Sequence, residues 1–341
     1  MQRAPKALVI GAAGNIGRPL VAHLRATGYA VLEVDLRPGW RPDYLMADIT
    51  QPLDLLPAFD WAPDVVFLLA ASVGRMTCEQ AGSLAITTNL SGINNVLQLC
   101  KRTRSVCVFF STSEVYGPAN ELLDDEGARP QPNNRYGLSK WLAEQLIEYE
   151  VRTGNLRAVT LRPCMIYDEA EDMGDHRSAM IRFAANLARG KPIEVHRGSA
   201  RGWLHVSDAV RAVEAAGHMP EYATINIGHP QIVPIATLAD LICHELGADP
   251  ALVRTVTLPA QMTLVKHPTL ERQRRLLGFE PRISLEEGVR RVCAVQARMA
   301  ASERAAAVRV PTNGDRPHEP VDRAKTLDPL LPPLTLPSAA V

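Results

Sequence analysis

The chain has 341 residues, 46% of them hydrophobic, and its 37 Lys plus Arg are matched by 37 Asp plus Glu. That length supports a large core in one or two closely joined domains, and a net charge of zero gives no electrostatic case for nucleic acid or an anionic membrane as partner. No apolar run approaches a membrane span, so no membrane-spanning helix is expected.

In chain order, Ala7 to Gly11 is a short apolar run ending in glycine, read as a buried parallel strand. Helical periodicity follows in Pro19-Leu20-Val21 and Leu24, and Gly28 ends it. Ala30 to Asp35 predicts the second strand and Val65 to Ala71 the next. Leu90 to Cys100 carries apolar residues at helical spacing, Ser105 to Ser111 reads as a strand, Ser139 to Glu150 as an amphipathic helix and Ala158 to Arg162 as a strand. Strands alternating with helices predict an α/β fold, a doubly wound parallel sheet of Rossmann type with helices on both faces. After about residue 165 the regularity drops, and helical patterns return at 178–189, 207–217, 236–246 and from Leu285 to Met299. The expected division is a dinucleotide-binding domain over 1–164, to which some later segments return, and a smaller substrate-binding cap over 165–300. A Pro-rich tail over 301–341 is expected to lack fixed structure.

The six cysteines (78, 100, 107, 164, 243, 293) are scattered without Cys-x-x-Cys spacing and read as reduced, packed thiols. The nine histidines show no paired metal-ligand spacing, so no metal is expected. Met1 to Lys6 is too short and polar for a secretory signal, which points to a cytoplasmic setting.

The loop Gly11-Ala12-Ala13-Gly14-Asn15-Ile16-Gly17 follows a strand and opens a helix. Gly14 lets backbone N–H groups approach a pyrophosphate at the helix N-terminus, and Gly17 permits close helix–strand packing. Asp35, at the end of the second strand, is placed to accept hydrogen bonds from an adenosine ribose, which favours NAD over NADP. Leu36 follows it, and Arg37 leaves NADP open because it could pair with a 2′-phosphate. Asp48 and Ile49 could flank the adenine; Asp48 alone reads equally well as a cap.

Tyr136 and Lys140 lie four apart, on one face of a helix. The strand 105–111 should deliver Thr112, Ser113 and Glu114 to the carboxyl end of the sheet, where open α/β folds bind ligands. Lys140 would lower the pKa of the Tyr136 phenol, the tyrosinate would take a proton from a substrate hydroxyl, and Thr112 would hydrogen-bond the same oxygen as hydride leaves for a nicotinamide. The bland alternatives are an N-capping Thr112 and a solvated Lys140.

Together these segments resemble the extended short-chain dehydrogenase/reductase family, in its branch of nucleotide-sugar epimerases, dehydratases and decarboxylases. The resemblance covers residues 5 to about 295. It implies NAD as cofactor, a nucleoside-diphosphate sugar as substrate and a homodimer built on the helices over 88–101 and 135–151. It carries cofactor positions over to the glycine loop, Asp35, Asp48, Leu69, Ala70 and Ala71, Asn89, Tyr136, Lys140 and Pro163, the last beside the nicotinamide. Substrate positions fall on Ser72 and Arg201, the latter in Arg-Gly-Trp-Leu-His-Val-Ser-Asp. Met165 stands where the family usually has a phosphate-binding Asn, and Lys266-His267-Pro268-Thr269 replaces a frequent Arg and Pro-Asp. His176 and Arg177 are candidates for replacement charge, or belong to a plain loop before an N-capping Ser178. Glu114 could abstract the carbon 5 proton of a 4-keto sugar. Dehydration, decarboxylation, simple 4-epimerisation and a local capping role for Glu114 all stay open, as does a non-catalytic NAD-sensing regulator.

Overall fold

The computed structural model describes residues 3–118, 122–171, 178–257 and 264–309, the last three without their side chains. The elements of the sheet half are β1 (Lys6–Ile10), α1 (Gly17–Ala26), β2 (Ala30–Asp35), β3 (Tyr44–Met46), α2 (Pro52–Asp60), β4 (Val65–Leu68), α3 (Arg75–Gln80), α4 (Gly82–Ile86), α5 (Ile93–Thr103), β5 (Val106–Phe110), β6 (Leu122–Leu123), α6 (Arg135–Arg152) and β7 (Arg157–Pro163). There follow β8 (Ile166–Tyr167), α7 (Ala179–Ala188), β9 (Ile193–His196), β10 (Ala200–Gly202), β11 (Leu204–His205), α8 (Val206–Ala216), β12 (Thr224–Ile227), β13 (Ile232–Pro234), α9 (Ile235–Leu246), β14 (Val253–Val256), β15 (Val265–Pro268), α10 (Glu271–Leu277) and α11 (Leu285–Arg309).

Among the described residues seven strands pair in parallel in the order β3-β2-β1-β4-β5-β7-β12. The order reverses between β1 and β4, which opens a crevice at their carboxyl ends. β12 is the later segment that returns to the sheet. Successive strand residues point to opposite faces. Ala7, Val9, Val65, Phe67, Val108 and Phe110 face α1 and α8, whereas Leu8, Ile10, Val66, Leu68, Cys107 and Phe109 face α2, α5 and α6. Both faces are buried, so the strands read as continuous apolar runs instead of alternating ones.

β4 stops at Leu68, three residues short of the expected Ala71, because the Leu69 and Ala70 N–H groups both turn to Ile10 O, at 2.9 Å each. Helix α5 is preceded by a π-helical stretch over Thr87–Gly92. The cap has its own core, in which Met180, Phe183 and Leu187 of α7, Leu238 and Ile242 of α9 and Val289 and Val292 of α11 close around Trp203 and Tyr167. All six cysteines are free and buried. No described helix is long and apolar enough to cross a membrane. The last helix runs to Arg309, and the rest of the expected tail, 310–341, lies outside the described residues.

Candidate active site

The glycine loop is held by backbone contacts. Gly11 N–H and Ala12 N–H donate to Val34 O at 2.8 and 3.1 Å, and Gly14 N–H donates to Gly11 O at 3.2 Å. A Cβ on Gly17 would lie 2.1 Å from Gly11 O, so only glycine lets α1 start this close to the turn. α1 has neither a capping side chain, with Ile16 at its N-cap, nor an acid in its first turn, leaving its first N–H groups to an anion. Asp35 does more than end β2. Its carboxylate accepts from Ala13 N–H at 2.9 Å and from Arg37 N–H at 3.0 Å, tying the loop to the strand end. The Arg37 guanidinium reaches the same carboxylate at 4.0 Å and is otherwise solvated. This cradle fits the pyrophosphate and ribose of NAD.

Around it, Asn15 Oδ1 accepts from Arg18 and Leu36 is exposed. Asp48 closes a turn by accepting from Thr50 N–H, and Ile49 is buried against Gly92. Ala71 is half-buried at the crevice, and Pro163 closes β7. Asn89, fully buried, clamps Ser72: its Oδ1 accepts from Ser72 N–H at 2.7 Å, and its Nδ2 donates to Ser72 O and to Ser139 Oγ at 2.9 Å each.

Across the crevice, β5 delivers Ser111 to Glu114 and α6 begins beside them. Asn134 caps α6 by accepting from Gly137 N–H at 2.9 Å. A Cβ on Gly137 would stand 2.6 Å from Glu114 O, so the Tyr-Gly pair lets the helix start pack onto the Thr112–Glu114 turn. The Thr112 hydroxyl accepts from Glu114 N–H at 3.2 Å and lies close enough to the Tyr136 phenol to lower its pKa. The capping reading of Thr112 therefore holds.

Lys140 is buried, not solvated. Its Nζ donates to Phe110 O at 2.6 Å and lies 4.7 Å from the Phe109 ring centroid. Burial pulls its pKa down to about 7, against the opposing charge of Glu144 one turn on. The expectation that Lys140 lowers the Tyr136 pKa is corrected. Burial pushes the phenol well above its usual value, the nearby Thr112 hydroxyl works against this, and the Glu114 charge adds to it.

Glu114 is an ion-pair member. Lys266 Nζ contacts its Oε1, Arg75 Nε lies 3.5 Å from Oε2, and Asn134 Nδ2 donates to Oε2 at 3.1 Å. Burial alone would raise its pKa, but the Lys266 ammonium and the Arg75 guanidinium outweigh it and hold the carboxyl below its usual range. That makes Glu114 a weaker base than a free carboxylate. Lys266 also reaches Ser113 Oγ at 3.5 Å. Arg201 donates to Ala200 O and Leu264 O at 2.7 Å each, close enough to feel the Glu114 charge. Met165 sits at φ +31° and packs, partly buried, against the cap core.

These parts decide the family. Residues 7–228 match the NAD dependent epimerase/dehydratase family. The chain belongs to that family. Among its relatives is a UDP-N-acetyl-alpha-D-glucosaminuronate decarboxylase of Bacillus cytotoxicus, 28% identical, with 84% of this chain and 95% of that one covered. A solved UDP-glucose 4-epimerase of Thermotoga maritima, with UDP-glucose, superposes at a TM-score of 0.79 with 24% identity, covering 87% and 99% of the two chains. MoeE5, in complex with UDP-glucuronic acid and NAD, superposes at 0.76 with 25% identity over 86% and 99%.

As a member of this NAD-dependent enzyme family, the chain shows several site residues that carry no local signal. Arg75 and Asn134 touch Glu114 from segments far apart in sequence. Beneath the site, Arg162 is buried against Glu144 at 2.7 Å and donates to the Tyr116 hydroxyl at 3.0 Å, while Ser111 donates to Glu144. Arg162 lies near the end of β7, and its place in this cluster depends on Glu144 of α6. His176 and Arg177 lie outside the described residues, although Ser178 does cap α7, accepting from Ile181 N–H at 3.4 Å. Among the described residues no group of three or more His, Cys, Asp or Glu is placed to hold a metal.

Proposed function

We propose that this family member oxidises carbon 4 of a nucleoside-diphosphate sugar as the first step of its reaction. The observation that carries the reading is the packing of the start of α6, with Tyr136 and the buried Lys140, onto the Thr112–Glu114 turn at the carboxyl end of β5. NAD, when bound on the loop residues and Asp35, supplies the hydride acceptor. Tyr136 takes the proton of the 4-hydroxyl and Thr112 aligns that oxygen. Lys140, one turn along α6 and poised near neutrality, is assigned the proton displaced from the phenol. Arg201 and Lys266 face the crevice from the cap and are suited to an anionic substrate. Ser72, pinned by Asn89, shapes the floor.

We further place the enzyme in the cytoplasm, as a homodimer paired through α5 and α6. Leu138 and Tyr149 stand exposed on α6, as does Leu84 on neighbouring α4. Light scattering checks the dimer, and a monomer at micromolar concentration would overturn it.

The function is tested with NAD-loaded protein and UDP-glucose or UDP-glucuronic acid, following product mass and reduced-nicotinamide absorbance. Tyr136→Phe is expected to lower turnover about a hundredfold to ten-thousandfold. Full activity in that variant would remove the assignment.

A further inference from the structure

We infer that the cavity between α6, the turn over 124–130 and the start of β12 is a second ligand site, separate from the crevice, and that it takes an uncharged pyranose sugar.

The first ground is the cavity itself. Its volume is about 540 Å³, inside the range of about 300–1,000 Å³ of small-molecule sites. Trp141, Gln145 and Glu148 of α6 line it together with Arg162 of β7, Glu126 and Arg272. None of Thr112, Glu114, Tyr136 and Lys140 does. Lys140 and Trp141 are neighbours in sequence, so successive residues of α6 serve two different sites.

The second ground is a set of unmet polar groups. Arg162 is only 6% exposed. Its Nε and Nη2 donate to Glu144 and its Nη1 to the Tyr116 hydroxyl. The second N–H on each Nη has no partner among the described residues, and buried donors are rarely left so. Thr160 Oγ1 is likewise buried without a partner. Thr160 lies two residues before Arg162 on the same strand face, in register with Thr224, which also lines the cavity. Gln145 and Glu148 are exposed on α6, with no hydrogen-bond partner among the described residues.

The third ground is the kind of ligand these walls suit. The lining holds three arginines and three acids. Arg162 is paired with Glu144 at 2.7 Å and Arg272 with Glu126 at 2.8 Å. The walls therefore give no cationic excess to a phosphate and no separated poles to a zwitterion. An apolar ligand would leave the Arg162 donors unmet. A sugar hydroxyl both donates and accepts, so one ring can accept from Arg162 and donate to Glu148 and to the Gln145 carbonyl. Trp141 packs, partly buried, against the cluster of Tyr116 and Leu123, and the rest of it lines the cavity. A partly covered indole offers apolar surface to the C–H face of a pyranose.

The test is read on protein labelled with nitrogen-15 in its tryptophans. The chain has four of them, and Trp141→Phe identifies the Trp141 indole signal. D-glucose, D-galactose and D-xylose are titrated in turn. At least one is expected to move the Trp141 signal saturably and leave the other indole signals in place. Glu148→Gln should then weaken that sugar about threefold to tenfold, the range for one hydrogen bond. Melting curves confirm that this exposed substitution leaves the protein folded. No saturable shift with any of the sugars, a saturable shift that ignores Glu148→Gln, or an equal response to inorganic phosphate or glycine would overturn the site. No nucleotide sugar and no turnover enters the measurement, so its failure and that of the carbon 4 reading are separate results.

Discussion

The two walls of the crevice are built from different materials. On the cofactor wall the recruited groups are mainly backbone N–H groups, set by Gly11, Gly14 and Gly17 and tied by one carboxylate, Asp35. On the facing wall, given to the substrate in the proposed reading, they are long charged side chains: Arg75 and Lys266 pair with Glu114 from α3 and β15, and Arg201 of β10 lies within reach of its charge. A backbone cradle depends on the absence of side chains and fits one generic ligand part. A cluster of side chains can be re-tuned one residue at a time, which suits the variable end of the substrate. The first wall should therefore fail sterically and the second electrostatically.

The largest stability effect is expected where the walls share a foundation. Glu144→Gln keeps the shape of the side chain but strands the buried Arg162 charge, and it should cost about 3–5 kcal/mol in denaturant unfolding. A loss under about 1 kcal/mol would show that Tyr116 and solvent suffice for Arg162. Gly17→Ala forces the loop and α1 apart and should cost about 1–3 kcal/mol while abolishing NAD binding in titration. Normal NAD affinity in that variant would break the steric account of the cofactor wall.

Lys140 gives a pH signature. Its folded pKa, about 7, lies below its unfolded value of about 10.4, so the unfolded chain binds more protons between the two and stability rises with pH across that window. Lys140→Met should lack this rise, and parallel slopes for the two proteins would show that Lys140 keeps its ordinary pKa. The smallest effect is expected at Met165. Met165→Asn relieves a φ of +31° that suits Asn better, but it removes an apolar contact with the cap core. The two should cancel to within about 1 kcal/mol in the unfolding free energy. A larger loss would show that Met165 is chiefly a packing residue.

The difference between the walls also explains what the sequence revealed. Strands buried on both faces show as apolar runs, so β1, β2, β5 and β7 were legible to within a residue or so, and the glycine loop with them. The cap strands β8, β10, β11 and β15 are two to four residues long and exist through pairing with distant segments, so no local pattern announces them. Tyr136 and Lys140 were legible because helical spacing fixes their relation. Arg75 was not, because its meaning comes from a partner reached only through the fold. The Lys140 effect on Tyr136 was misjudged for a related reason. Spacing places the two on one face, but only the packed structure shows the ammonium turned onto Phe110 O.

Asp35 carries a consequence for how such a protein could diverge. The carboxylate suited to a ribose is also the tether that fixes Ala13 N–H, hence the shape of the phosphate loop. A single replacement meant to admit a 2′-phosphate would slacken the grip on the pyrophosphate at the same time. A lineage drifting toward NADP would cross a trough of weak cofactor binding unless a second change re-anchored the loop first. The bond from Asp35 to Ala13 acts as a historical lock on cofactor choice, in which selectivity and architecture cannot be traded separately.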